Sequence, residues 1–419
     1  MKNLITLFIF TLFVSFVYST TYQYARCNLE EHPGKLISGD VFFAYGIDNK
    51  LHVAIKADGD DYLGKERTVI IHNNGNLVRQ LDETSIFNPT KSTEIDCLNV
   101  AGYIGTFKSE SSISTPELVL DNQTIQGVDS LVGLTLVVYS NAPKSCPLTH
   151  YSDLGDILGK CVIGIGSFDY PLPEVIVTAM TGDSKKIPTK SDSNGAMKGL
   201  SNVNGNQAAI CTLEPTSKFF GELTGTVYIT SKFDEKSKAM TTSITAEING
   251  LVPQSIHGFH IHSLGDISSG DGMSVGGHWD SSGQVHSLPP NPNRHYGDLG
   301  NICQYVVSTA YYSWTTTYLP YTSTNNLLGR SFVVHAIRDN GTVFGDRVGW
   351  CVVGLLSPTD NPPFKLPPSI QNNNVICSNS PPENQFTTPT PPPSNFFKNA
   401  FYIIITLSIL VYLYKKTVR

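Results

Sequence analysis

Apolar residues along this chain fall into short runs separated by turn formers and do not recur every three or four places. Gly225–Thr230, Thr241–Ile248 and Ser331–His335 are rich in β-branched and aromatic residues, and Ile244, Ala246 and Ile248 alternate with polar neighbours. A period of two is the pleat of a half-buried strand, and Gly, Asn and Pro close such strands. The pattern predicts an all-β protein of short antiparallel strands folded into sandwiches or barrels. Two longer apolar runs stand outside it. Leu4 to Val17 follows a lone Lys and precedes the small Ser19, the order of a secretory signal, so cleavage is expected near Ser19–Thr21. Ala400 to Tyr414 carries no charge and leads into Lys415, Lys416 and Arg419. A spanning helix needs roughly 17–25 residues, which this run reaches with Phe396, Phe397 and a snorkelling Lys398. The expectation is a single-pass anchor with the bulk outside. The alternative is a removable lipid-anchor signal attached at Ser378–Ser380 or Ser394.

Composition divides what lies between the two runs. Only 15% of the 419 residues are charged, with 35 Gly and 25 Pro and a net charge of −6, so the chain has no basic block to grip nucleic acid. The expected order is a signal at 1–19, a β domain at 20–180, a linker at 181–206 and a second β domain at 207–357. A Pro/Asn/Ser-rich stalk at 358–397, the apolar run at 398–414 and a tail at 415–419 follow. The two β domains echo each other. Gly133 to Tyr139 and Gly159 to Gly164 match Gly329 to His335 and Gly349 to Gly354, the later pair around Cys161 and Cys351. Asp96 to Val100 answers Asp298 to Ile302, and Cys27-Asn-Leu-Glu answers Cys211-Thr-Leu-Glu. Four matches in one order read as a duplication. The eight Cys suit export, although eight allow 105 pairings. Asn122 and Asn340 head glycosylation acceptors.

Seven of the eleven His lie between 257 and 335. His260 and His262 share one strand face, so both rings can reach one ion, and His295 and Asp298 stand three apart, within reach of a tight turn. Any single His is more often hydrogen-bonded or solvated than a ligand, and His257, outside the spacing, is read that way. His260, His262, His278, His286, His295, His335 and Asp298 together read as a metal site.

At these residues the second domain resembles a copper-zinc superoxide dismutase. Gly258-Phe-His-Ile-His-Ser-Leu-Gly-Asp266 and Asn293-Arg-His-Tyr-Gly-Asp-Leu-Gly-Asn301 resemble the family's two signatures, and the ligand spacing of eight, nine, three and thirty-seven recurs from His278. The resemblance implies a Greek-key β-sandwich in both domains, one copper ion and one zinc ion. Copper would be held by His260, His262, His278 and His335, and zinc by His278, His286, His295 and Asp298, with His278 bridging. Asp339 would link His260 to His286 from outside. The implied activity is conversion of superoxide to hydrogen peroxide and dioxygen, with Arg347 guiding the anion and His278 carrying a proton. The alternative is a copper-binding surface protein without catalysis.

Three departures bear on this. The segment from His262 to His278 has no Cys where the family places one, leaving Cys351 to pair elsewhere, with Cys303 or not at all. Arg347 stands four residues before Cys351 instead of three. The first domain lacks the ligands: Tyr139 stands where His335 does, Thr93 where His295 does, and Ile70 and His72 align with His260 and His262. His32, His52 and His150 have no ligand spacing and are read as surface residues. The first domain is expected to hold no metal. Because the family pairs through its barrels, it is expected to serve as an intramolecular partner.

Overall fold

The computed structural model describes residues 24–31, 37–59, 64–89, 91, 102–108, 117–121, 123–126, 129–185, 207–237, 239–253, 255–280, 283–303, 309–319, 326–356 and 362–366. The expected signal, the apolar C-terminal run, His32, Thr93, Asp96 and Asn122 lie outside them. Among the described residues no helix is long and apolar enough to cross a membrane.

The chain is all-β, as expected. The first lobe contains β1 (Tyr24–Glu31), β2 (Ser38–Tyr45), β3 (Leu51–Asp58), β4 (Glu66–His72) and β5 (Tyr103–Lys108). It continues with β6 (Glu117–Leu120), β7 (Thr135–Tyr139), β8 (Ile157–Val162) and β9 (Gly164–Ile165). The second contains β10 (Gln207–Pro215), β11 (Thr224–Asp234), β12 (Ala239–Asn249), β13 (Ile256–His262) and β14 (Asp298–Cys303). It ends with β15 (Thr309–Thr316), β16 (Ser331–His335), β17 (Arg347–Val352) and β18 (Gly354–Leu356).

In the second lobe the order β11-β12-β15-β14-β13-β16-β17-β10 returns to β11 through the β10–β11 ladder, so eight strands close a barrel and β18 pairs with β10. In the first, the order β5-β4-β7-β8-β1-β2-β3-β6 is the same circle, and no β5–β6 ladder exists among the described residues. Strand β12 shows why the barrel closes: its burial alternates, with Ile244, Ala246 and Ile248 inside. Those residues join Phe259, Ile261, Phe332 and Val334 in one core, and Val41, Phe43, Val69, Ile71, Leu136 and Val138 build its counterpart.

The alternation did not predict α1 (Glu174–Thr181), which lays Ile176 and Met180 against Phe42 and Ala54 of the first sheet. Pro173 precedes it, and Gly182 ends it at φ +73°, a conformation that favours glycine.

The disulfides correct one expectation. Cys351 pairs with Cys211, not Cys303, and Cys27 pairs with Cys161, with Cα separations of 5.5 and 5.6 Å. Both bridges join the lobe's first strand to the strand ending its last Gly-x-Cys motif. Cys303 and Cys146 are also disulfide-bonded.

The lobes meet backbone to backbone. Ile165 donates its N–H to Gly329 O at 2.8 Å and accepts from Gly265 N–H at 3.0 Å. Leu355 donates to Gly133 O at 2.8 Å and accepts from Gly75 N–H at 2.6 Å. These are one arrangement made twice, since Leu355 repeats Ile165, Gly133 repeats Gly329 and Gly75 repeats Gly265. Side chains would not fit there. A Cβ on Gly164 would sit 2.2 Å from Gly265 O, and one on Gly75 would sit 2.3 Å from Gly354 Cα.

Candidate metal centre

Four pieces of the second lobe converge on one end of its barrel. Strand β13 supplies His260 and His262, β16 ends on His335, and β14 begins on Asp298. The long connection from β13 to β14 supplies His278, paired across an isolated bridge to His262, and then His286 and His295. Phe259 and Ile261 on the opposite face of β13 are locked into the core, which fixes where His260 and His262 point. The ligand atoms of His260, His262, His278 and His335 lie within 4.8 Å of one another, as do those of His278, His286, His295 and Asp298.

Tautomers show what these sets would hold. A carbonyl only accepts, so His262 must donate from Nδ1 to Gly276 O at 2.9 Å, and His335 from Nδ1 to Gly345 O at 3.1 Å. Their Nε2 lone pairs then face each other at 3.4 Å. His260 Nε2 meets Asp339 Oδ2 at 2.8 Å, and His286 Nε2 lies 3.1 Å from Asp339 Oδ1. That leaves His260 Nδ1 and His286 Nδ1 without hydrogen-bond partners, together with His278 Nε2 and His295 Nδ1. His286 Nδ1 lies 2.9 Å from Asp298 Oδ1, yet without hydrogen-bond alignment. Lone pairs set against lone pairs and carboxylate oxygen repel unless a cation lies between them. The donor atoms fit two cations: all-imidazole suits copper, and three imidazoles with a carboxylate suit zinc. His278 turns one ring nitrogen to each set, with Nδ1 2.8 Å from Asp298 Oδ1.

In the four-histidine set the charge states agree with this geometry. Burial, reinforced by neighbouring imidazoles, pushes His335 down to about 2 and His260 down to about 4. It also holds His262 well below its ordinary value, so these rings stay neutral with a lone pair to offer. At His286 burial works the other way from its partners, and Asp298 and Asp339 prevail, raising it to about 9, so without a metal this ring is protonated and a cation in the second set must displace its Nδ1 proton. Burial pushes Asp298 and Asp339 up, but the imidazoles bonded to each hold both far below the usual carboxylate range.

Arg347 stands opposite His335 across the β16–β17 ladder. Its Nη1 donates to Gly272 O and its Nη2 to Gly276 O at 2.7 Å, so Gly276 O serves both this guanidinium and His262. Sequence reasoning missed Phe344, whose ring centroid lies 4.7–5.5 Å from the rings of His260, His278, His286 and His335. It also missed the carbonyls that fix the tautomers, since a backbone oxygen leaves no trace in residue type. His257 lies outside both sets and bonds to His335 O and Ser255 Oγ. Asn340 is exposed.

The first lobe has the same bulges and different chemistry. His72 and Tyr139 hold the ladder places of His262 and His335, and His72 Nε2 bonds to Tyr139 OH at 2.9 Å. His72 Nδ1 meets Ser85 Oγ at 2.8 Å, and Tyr139 OH bonds in turn to Tyr151 OH. Register pairs Ile70 with Tyr103 as it pairs His260 with Asp298, so Tyr103 occupies the Asp298 place. His150 is exposed, but His52 corrects the surface reading: it is 9% exposed and held between Asp48 at 3.0 Å and Glu117 at 2.6 Å.

Comparison with known proteins gives a family match within the second lobe. Residues 223–353 match the family model described as copper/zinc superoxide dismutase. Over 320 residues the chain is 32% identical to a protein named extracellular Cu-Zn superoxide dismutase 2 of Dictyostelium discoideum, covering 70% of each. The chain belongs to the copper/zinc superoxide dismutase family. The similarly named dismutase 3 of that organism is 30% identical over 289 residues, 66% of this chain and 65% of the relative. A Cu-Zn superoxide dismutase 2 of Brassica juncea is 39% identical over 115 residues, 27% of this chain and 71% of the relative. The dismutase family model thus falls within the lobe that gathers the histidines.

Proposed function

We propose that the chain is an exported superoxide dismutase whose second lobe binds one copper ion at His260, His262, His278 and His335. One zinc ion binds at His278, His286, His295 and Asp298. The observation that carries the reading is the convergence of unpartnered nitrogens on two points that share His278. Bound copper supplies a one-electron couple, while zinc has no redox chemistry and orders the loops. Two superoxide anions and two protons yield one hydrogen peroxide and one dioxygen, so one anion is oxidised and the other reduced.

The protein's own groups have separate tasks. Arg347 presents a cation beside His262 and His335 and draws the anion in. His278 would offer Nε2 to copper, and whenever that nitrogen is not ligating it could take up a proton and pass it to the reduced product. Asp339 fixes the rings of His260 and His286, the kind of outer contact that tunes a metal site. Phe344 covers four of the rings.

Export is supported by the apolar run at 4–17 and by relatives named extracellular. The run at 400–414 is the membrane anchor, and exposed Asn340 is a glycan acceptor in this reading. The first lobe, joined by the reciprocal backbone bonds, takes the place of a second subunit.

The full chain loaded with both metals should consume superoxide. His335→Ala should lower that rate by more than the roughly 100-fold that loss of an outer contact can cost, with zinc content near that of the parent. Copper and zinc bound in the parent without superoxide consumption would sink the enzyme reading and leave a copper-binding surface protein.

A further inference from the structure

The junction between the lobes is reciprocal in its backbone bonds but not in its charges. Arg26 on β1 is 7% exposed and forks Nε and Nη2 onto Asp40 at 3.0 and 2.8 Å. Its Nη1 lies across the junction, 3.6 Å from Asp266 Oδ2, which also accepts the Ser167 N–H of the first lobe at 3.0 Å. Asp266 is 1% exposed. The duplication places Ile210 where Arg26 would be in the second lobe, and Asn76 where Asp266 would be in the first. The pairing therefore runs one way. A cation of the first lobe meets a carboxylate of the second, in the loop between His262 and His278.

That loop leads to the metal ligands. Asp266 Oδ1 accepts the Ser268 N–H and hydroxyl at 3.1 and 2.6 Å, and its main-chain oxygen accepts the Ser274 hydroxyl. Ser274 and Ser269 also exchange bonds, Ser269 N–H to Ser274 Oγ at 3.1 Å and Ser274 N–H to Ser269 Oγ at 2.9 Å. Two residues beyond Ser274, Gly276 O holds His262 Nδ1 and Arg347 Nη2. A buried carboxylate stripped of its cation is strongly unfavourable. Without Arg26, Asp266 would move toward water and take the loop, with Gly276, along.

We infer that Arg26 of the first lobe is a positioning residue for the metal centre of the second, acting through Asp266, Ser274 and Gly276 on His262 and Arg347. The inference rests on the proposed copper site and gives the metal-free lobe a role in shaping it.

The test compares the full chain with Arg26→Met and Arg26→Lys after loading with copper and zinc. The readouts are the electron paramagnetic resonance spectrum of the copper(II) and its retention against a chelator. Arg26→Met should shift the spectrum and release copper about 10-fold more readily, the lower end of what lost outer contacts cost. Arg26→Lys keeps the charge but cannot fork onto two carboxylates, and should fall between. If Arg26→Met does not fold, the Lys variant carries the comparison with the parent. An unchanged spectrum and unchanged retention in the folded variant overturn the inference. A parent that binds copper, shows the Arg26-dependent spectrum and consumes no superoxide would sink the dismutase reading while this inference stands.

Discussion

His72 shows what stands in the first lobe at the ladder place of His262. Its ring is fully buried with Ser85, Tyr139 and Tyr151 around it, and burial, opposed by the charge of Asp82, lowers it from 6.5 to about 4. Between about pH 6.5 and 4 the unfolded chain binds a proton that the folded lobe refuses, so stability contributed at neutral pH is lost as pH falls through that window. The shift corresponds to about 3 kcal/mol. Urea unfolding of the parent should lose at least about 2 kcal/mol more than His72→Gln between pH 7.5 and 4.5; an equal loss in both would refute the assignment. At this scale the clustering of the six imidazoles with Asp298 was legible because their spacing is compact and chemically distinctive. Tyr103 was not, because the bulge that brings it to the Asp298 place is a property of strand register. His52 was misread for a related reason: Asp48 is near in sequence, but Glu117 arrives only through the β3–β6 ladder.

Strands and their connections were legible in kind. The repeated Gly motifs placed β7, β8, β16 and β17, and the common strand order follows from the duplication. The disulfides were not, because resemblance directed attention to a Cys absent from the 262–278 segment. The signal was present all the same: each bridge joins two motifs that recur in both lobes, Cys27 with Cys161 and Cys211 with Cys351. The glycines at the junction carry a direct test of the intramolecular pairing. In the parent, cleavage by a protease within 186–206 should leave the two lobes co-eluting on a sizing column. Gly164→Val, whose Cβ would lie 2.2 Å from Gly265 O, should let them part after the same cut. Separation of the parent lobes would dispose of the paired arrangement.

For the whole molecule, the sequence alone speaks to its setting, through the apolar runs at either end. Expressing cells should retain the protein in a membrane pellet that detergent releases and high salt does not, and N-glycosidase should reduce its mass. Release wholly into the medium would remove the anchor from the proposed function. The unequal partnership of the lobes was half legible. Loss of ligands from the first lobe is written in Tyr139 and Ile70, whereas its grip on Asp266 depends on two residues far apart in sequence that only the folded junction brings together.

The reciprocal backbone bonds have a consequence for dilution. A pair of separate subunits dissociates once its concentration falls below the dissociation constant, and a secreted or surface protein lives where it is scarce. Here both faces belong to one chain, and a short tether holds them at an effective concentration on the order of millimolar whatever the number of molecules outside the cell. The interface can therefore be weak by the standard of a free dimer and still remain closed.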